Sequence, residues 1–186
     1  MALDLPDPLR AGLEEWGAKA LADPALRRVP AGNLHITLAF LGHRPEKEVE
    51  PIAAAIAECA APAPLVELLD PVPRPPRGRP RLFVLPVVSP GAEQMQAQVS
   101  EALAGAGLYE PDQRPFWPHL TLARVRAEDR GSRRPAAVER RPPSLPAGLK
   151  EPHFSGRLAL YRSELKPSGA RYVPLAQIEL PGAGRQ

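Results

Sequence analysis

Cysteine is almost missing: Cys59 is the only one in 186 residues. A single thiol rules out an intramolecular disulfide and any cysteine-built metal cluster, which leaves packing and hydrogen bonding to hold the fold. Long apolar runs are missing too. No stretch approaches the roughly 20 residues that a membrane-spanning helix needs. Met1-Ala2-Leu3-Asp4-Leu5-Pro6 has neither a basic n-region nor a long apolar h-region, so no signal peptide is expected. The cytoplasm is the expected home. Acidic residues are absent from one stretch in particular: Arg74-Pro75-Pro76-Arg77-Gly78-Arg79-Pro80-Arg81 carries four arginines and no carboxylate. Segment 124–141 sets seven arginines against Glu128, Asp129 and Glu139, although the whole chain carries a formal charge of only +3. Such local excess suits a polyanionic partner, because a guanidinium forks phosphate oxygens. A solvated Arg-Pro loop is the plain alternative.

Histidine is scarce as well, with four in the chain, and two of them fall in the same pattern. Asn33-Leu34-His35-Ile36-Thr37-Leu38-Ala39-Phe40-Leu41-Gly42 is echoed by Pro118-His119-Leu120-Thr121-Leu122-Ala123-Arg124. Both read as His-x-Thr-Leu-Ala on a β-strand, bounded by Gly or Pro. Strand side chains alternate faces. His35 and Thr37 therefore share one face against Ile36 and Leu38, and His119 and Thr121 share one against Leu120 and Leu122. A lone strand histidine is more often a packed residue than a catalyst. A duplicated imidazole and hydroxyl on one face is a different matter, and points to a cleft. His43 at a strand exit and His153 after Pro152 lack a Thr partner and read as surface positions.

The remaining pattern gives the frame. Leu3-Asp4-Leu5 ends a first strand. Asp7 is expected to cap a helix that Pro8 opens, with Leu9, Leu13, Trp16, Ala20 and Leu21 on its apolar face. A second helix is expected from Pro45-Glu46-Lys47-Glu48 onward, buried through Val49, Ile52, Ala53, Ile56 and Ala60. Strands follow at 65–69 and 81–87. Ser89-Pro90 then opens a helix carrying Met95, Val99, Ala102 and Leu103, which Gly105 or Gly107 stops. Residues 126–149 show little period and read as a long connector. Two last strands, 154–162 and 172–180, flank a Ser168-Gly169 turn. The expected fold class is α+β: a bilobal duplicated unit, two antiparallel sheets facing a central cleft with helices packed outside. No linker divides the chain, so residues 1–186 are read as a single bilobal domain.

At these motifs the chain resembles the RNA 2′,3′-cyclic phosphodiesterases, also called 2′-5′ RNA ligases, of the two-histidine phosphoesterase superfamily. The resemblance rests on 33–42 and on Pro115-Phe116-Trp117-Pro118-His119-Leu120-Thr121-Leu122-Ala123-Arg124. Leu160-Tyr161-Arg162-Ser163-Glu164-Leu165 with Gly169 and Tyr172 resembles the family's closing hairpin, and Ala2-Leu3-Asp4-Leu5-Pro6 its opening strand. Three features differ from the family pattern: a short first strand, Val84 where an aromatic is usual, and the Arg-Pro connector. The resemblance implies hydrolysis of a cyclic diester to a 2′-phosphomonoester, with His35 as proton donor to O3′ and His119 as proton acceptor. It also implies Thr37, Thr121 and Arg124 at the phosphate, no metal and no other cofactor. RNA ends or nucleotide cyclic phosphates are the implied partners, with no membrane, for a monomer.

The residues alone show the pair and leave the acid and base exchangeable. Imidazole titrates near pH 6.5, so one neutral and one protonated ring can coexist near neutrality. Arg124 lies five residues past His119, which on a regular strand is the opposite face, so it reaches phosphate only through a bulge or a strand end. Trp117, two residues before His119, is read as a packing residue or a base-stacking one. Two rival readings are a non-catalytic RNA- or nucleotide-phosphate-binding module and a metallohydrolase. Neither motif contains an Asp, Glu or further His to complete a metal shell.

Overall fold

The computed structural model describes residues 1–59, 61–166 (backbone only at Lys166) and 169–182. Ala60 of the expected helix stripe and Ser168 of the expected turn lie outside these residues. The strands are β1 (Ala2–Asp4), β2 (Leu26–Arg28), β3 (His35–Thr37), β4 (Leu65–Leu68), β5 (Val72–Arg74), β6 (Leu82–Val88), β7 (His119–Val125), β8 (His153–Phe154), β9 (Arg157–Lys166) and β10 (Gly169–Glu179). The helices are α1 (Asp7–Ala20), α2 (Val49–Ala57), α3 (Pro90–Gly105) and α4 (Ala147–Lys150).

The strand order is β10-β9-β1-β3-β7-β6-β4-β8, with β2 also paired to β7 and β5 to β6. Every pairing is antiparallel. The architecture is α+β and duplicated. β1, α1 and β3 form one unit, in which Leu3 pairs with Ile36; β6, α3 and β7 form the other, in which Leu85 pairs with Leu120. The two antiparallel halves join where β3 meets β7, through the single register pair Ile36↔Leu120. Leu3, Ile36, Leu120 and Leu85 thus make a row across the junction, each with 0% of its surface exposed. Burying each such side chain stabilises the fold by about 1.5–3 kcal/mol. Leu9 and Leu13 of α1, Ile52 and Ile56 of α2, and Met95, Val99 and Leu103 of α3 belong to the same apolar cluster. The helices therefore cover this face of the sheet and leave the other face open.

Two helix starts differ from the sequence reading. The cap of α1 is Pro6, in extended conformation, and Asp7 is already the first helical residue, with its carboxylate in the turn that the macrodipole favours. Glu46–Glu48 forms a short 3-10 turn, and α2 proper begins at Val49. Pro51 then falls in the first helical turn, where its missing N–H is tolerated. α3 starts as expected: the Ser89 hydroxyl accepts from the Ala92 N–H at 3.1 Å, and Pro90 follows. β2, β5 and α4 were not anticipated, and the strand expected at 154–162 is divided: Phe154 belongs to β8 with His153, and β9 starts at Arg157. β5 contains Pro73 and pairs only with β6, an edge position that a proline permits.

The Arg-Pro connector is ordered by carboxylates rather than by periodicity. Asp23 accepts from the backbone N–H groups of Glu139 (2.9 Å) and Arg140 (2.8 Å) as well as Ala25 (2.8 Å), and Asp70 accepts from Leu145 N–H at 2.9 Å. Leu145 is buried there, and Lys150 pairs with Asp70 at 2.8 Å. The segment is thereby strapped across the molecule.

Candidate active site

The junction of the two halves is also where the motifs meet. The antiparallel register Ile36↔Leu120 sets His35 across from Thr121, and Thr37 across from His119. Ile36 and Leu120 point into the core, so the two imidazoles and two hydroxyls lie together on the open face. His35, His119 and Thr121 are half-buried and Thr37 is exposed. Neither threonine hydroxyl has a protein partner among the described residues.

Both rings are held the same way. His35 Nδ1 lies 2.9 Å from the carbonyl of Asn33, and His119 Nδ1 lies 2.8 Å from the carbonyl of Trp117. A backbone carbonyl can only accept, so Nδ1 carries the proton in each ring. Nε2 is left as a lone pair in the neutral form and as a second N–H donor in the charged form. Among the described residues neither Nε2 has a protein partner.

The surroundings of the two rings differ. Tyr172 meets His35 edge-on at 4.7 Å between centroids, and Tyr161 lies at 6.0 Å. Burial pushes His35 down to about 4, against the opposing pull of the Asn33 carbonyl. Asp4, the cross-strand partner of His35, turns its buried carboxylate to the Tyr161 hydroxyl, 2.8 Å from both oxygens, with Arg157 at 3.8 Å. Burial raises the Asp4 carboxyl while the Tyr161 bond opposes it, and burial together with that bond raises Tyr161 to about 12. Asn33 Nδ2 donates to the Ala170 carbonyl at 2.8 Å, which ties the β9–β10 hairpin to the approach to His35. His119 instead stacks on Trp117, at 4.7 Å and 21° between planes, and the Arg74 guanidinium lies 3.9 Å over the Trp117 ring. Trp117 is 37% exposed and is not a core residue. It stands beside His119 as Tyr172 and Tyr161 stand beside His35, whereas Val84 of β6 pairs with Thr121 and is fully buried.

Arg124 comes to the open face through a bulge. Pro86, Leu85 and Val84 of β6 pair with His119, Leu120 and Thr121, but Phe83 and Leu82 pair with Ala123 and Arg124. β7 thus carries one extra residue at this point, and the alternation shifts by one. Phe83 and Ala123 face the core at 1% and 0% exposure, while Arg124 emerges exposed on the side of Thr121 and His119. The bulge was not visible in the sequence. Tyr161, Tyr172, Asp4 and Arg74 were not singled out as site residues either. Their same-face spacing along β1, β5, β9 and β10 becomes informative only once the pairings are known.

His43 is exposed in a loop. His153 sits in β8 opposite Val66, half-buried with Nε2 unpartnered, at the far edge of the sheet. Among the described residues, no group of three or more His, Cys, Asp or Glu is placed to hold a metal ion. No helix among them is long and apolar enough to cross a membrane.

A duplicated antiparallel fold with paired His-x-Thr strands at its junction defines a two-histidine phosphoesterase architecture. The family model of the 2′-5′ RNA ligase superfamily matches residues 5–155, and the chain belongs to that superfamily. It is 36% identical to the RNA 2′,3′-cyclic phosphodiesterase of Thermus thermophilus, covering 97% of this chain and 89% of that protein. It is 30% identical to the protein of the same name from Escherichia coli, covering 94% and 91%. Among solved structures, one from Thermus thermophilus superposes with a TM-score of 0.78 at 31% identity, over 97% of this chain and 96% of the other. E. coli LigT complexed with 3′-AMP superposes at 0.70 and 25% identity, over 97% and 95%.

Proposed function

We propose that this protein hydrolyses RNA 2′,3′-cyclic phosphodiester ends to 2′-phosphomonoesters by acid/base catalysis between His35 and His119, without a metal or other cofactor. The observation that carries this reading is one geometry used twice: each ring fixes Nδ1 on the carbonyl two residues upstream and keeps Nε2 for chemistry, on strands joined at one pair. The names of the relatives supply the substrate class. Water attacks phosphorus while one neutral Nε2 takes its proton. The P–O3′ bond breaks, and the other ring delivers its Nε2 proton to O3′. Thr37 and Thr121 donate to the non-bridging oxygens, whose charge rises in the transition state, and Arg124 adds a guanidinium nearby. With a 5′-hydroxyl attacking phosphorus in place of water, the same P–O3′ cleavage would join a cyclic end to that hydroxyl through a 2′-5′ linkage, the ligase reaction. The chain acts as one bilobal domain, a monomer of the cytoplasm.

The family resemblance favours His35 as the acid. Burial holds it neutral above about pH 4 in the free protein. In that role it gains its proton together with the anionic diester, which offsets the desolvation. Since kcat/KM reports the free enzyme, its His35 limb is expected to fall as pH rises above about 4. The corresponding limb of kcat holds to higher pH. A His35 limb that rises through about pH 4 and then stays level would assign His35 as the base. The primary test uses chelator-treated protein and a cyclic-ended oligonucleotide, with 2′- and 3′-phosphate products resolved. His35→Ala and His119→Ala are each expected to lower kcat by about 10²–10⁴. Turnover abolished by EDTA, or unaffected by His119→Ala, ends this reading. Binding without cleavage would leave the phosphate-binding module.

A further inference from the structure

A line of arginines runs across the open face beside the histidines. β2 pairs with β7 beyond β3, and there Arg27 stands directly opposite Arg124. On its other side Arg124 faces Leu82 of β6, which in turn faces Arg74 of β5. Paired residues on neighbouring strands share a face, so Arg27, Arg124 and Arg74 form one row over four strands, on the side of Thr121 and His119. The contact of Arg74 with Trp117, itself stacked on His119, fixes the side independently. Like charges directly opposite on a sheet repel. Among the described residues neither Arg27 nor Arg124 has a carboxylate partner; Glu128 of the adjoining connector is held by Arg79 and Arg134 instead. Arg27 is half-buried, which makes an unanswered charge there more costly than on an open loop. An arrangement of this kind is relieved by a bound polyanion.

We infer that this row is the track for the RNA strand leading to the cyclic end. A 2′,3′-cyclic phosphate is the 3′ terminus, so every other phosphate of the substrate lies on its 5′ side. With the terminus between His35 and His119 and Arg124 beside its phosphate, Arg27 and Arg74, which flank Arg124 in the row, are left for those upstream phosphates. Neighbouring strands lie about 4.8 Å apart, so Arg27 to Arg74 spans about 14 Å, more than one phosphate fills. The site is built for oligonucleotide ends in preference to free cyclic mononucleotides. This inference rests on the proposed function and adds substrate length to it.

The test compares kcat/KM for a cyclic-ended RNA tetranucleotide and a 2′,3′-cyclic mononucleotide across salt concentrations, for the full chain and for Arg27→Gln and Arg27→Glu. Arg141→Gln, on the connector, serves as a charge-matched control. Binding of a tetranucleotide ending in a 2′-phosphate is measured alongside. The tetranucleotide is expected to be the better substrate at low salt, with the advantage shrinking as salt rises. Arg27→Gln is expected to reduce the tetranucleotide-to-mononucleotide ratio and to flatten the log–log salt slope of binding by about 0.7. Arg27→Glu reduces the ratio further, and Arg141→Gln changes neither. Tm should hold or rise in Arg27→Gln, since a repulsion is removed, whereas a structural arginine would lower it. Equal kcat/KM for the two substrates, or a preference that both Arg27 variants leave intact, overturns the track and spares the hydrolysis. Tight, Arg27-dependent binding without turnover of either substrate supports the track and overturns the hydrolysis.

Discussion

Each imidazole donates its Nδ1 proton to a carbonyl two residues upstream, and this leaves Nε2 in both without a protein partner among the described residues. What separates the rings is their surroundings: tyrosines and burial around His35, an exposed tryptophan and an arginine around His119. Burial of His35 has a consequence for stability. The folded value of His35, about 4, lies below its ordinary value of 6.5. Between those values the unfolded chain binds more protons than the folded one, so stability falls as pH falls through that window and is whole above it. The loss at this one group is expected to reach up to about 3 kcal/mol. Denaturant titrations at a series of pH values check this, with His35→Gln expected to flatten the dependence between pH 6.5 and 4.

At the scale of elements, the long helices and the two His-x-Thr strands were legible in the sequence because their apolar residues repeat. The connector 126–149 was not, because what orders it is the acceptance of its backbone N–H groups by Asp23 and Asp70, distant in sequence. Nothing periodic marks such a clasp. α4, within it, lies so close to α1 that a Cβ on Gly12 would stand 2.6 Å from Leu149 Cδ2. Asp23→Ala leaves three backbone donors without their acceptor. It is expected to cost about 2–4 kcal/mol, seen as a lowered denaturation midpoint, and to open the connector to limited proteolysis. The Asp23 carboxyl is held below the usual carboxylate range, chiefly by the Arg140 N–H. Its contribution is therefore present above the unfolded value and lost on acidification through the folded one.

For the molecule as a whole, the junction Ile36↔Leu120 has two tasks, closing the core and bringing the rings onto one face. Leu120→Ala is expected to lose about 2–5 kcal/mol and also to lower kcat of the folded fraction, since it loosens the strand between His119 and Thr121. Leu103→Ala in α3, equally buried, is expected to cost a similar amount of stability while leaving kcat of the folded fraction alone. Chemical denaturation with parallel rate measurements separates the two. The alternation of His, Thr and apolar residues by itself determined which side chains share a face, since that depends only on the pleat of each strand. It could not determine the single pair that joins the strands, the extra residue in β7 that turns Arg124 outward, or the burial that lowers His35. Those depend on how segments far apart in the chain are paired and covered, and only the packed molecule decides that.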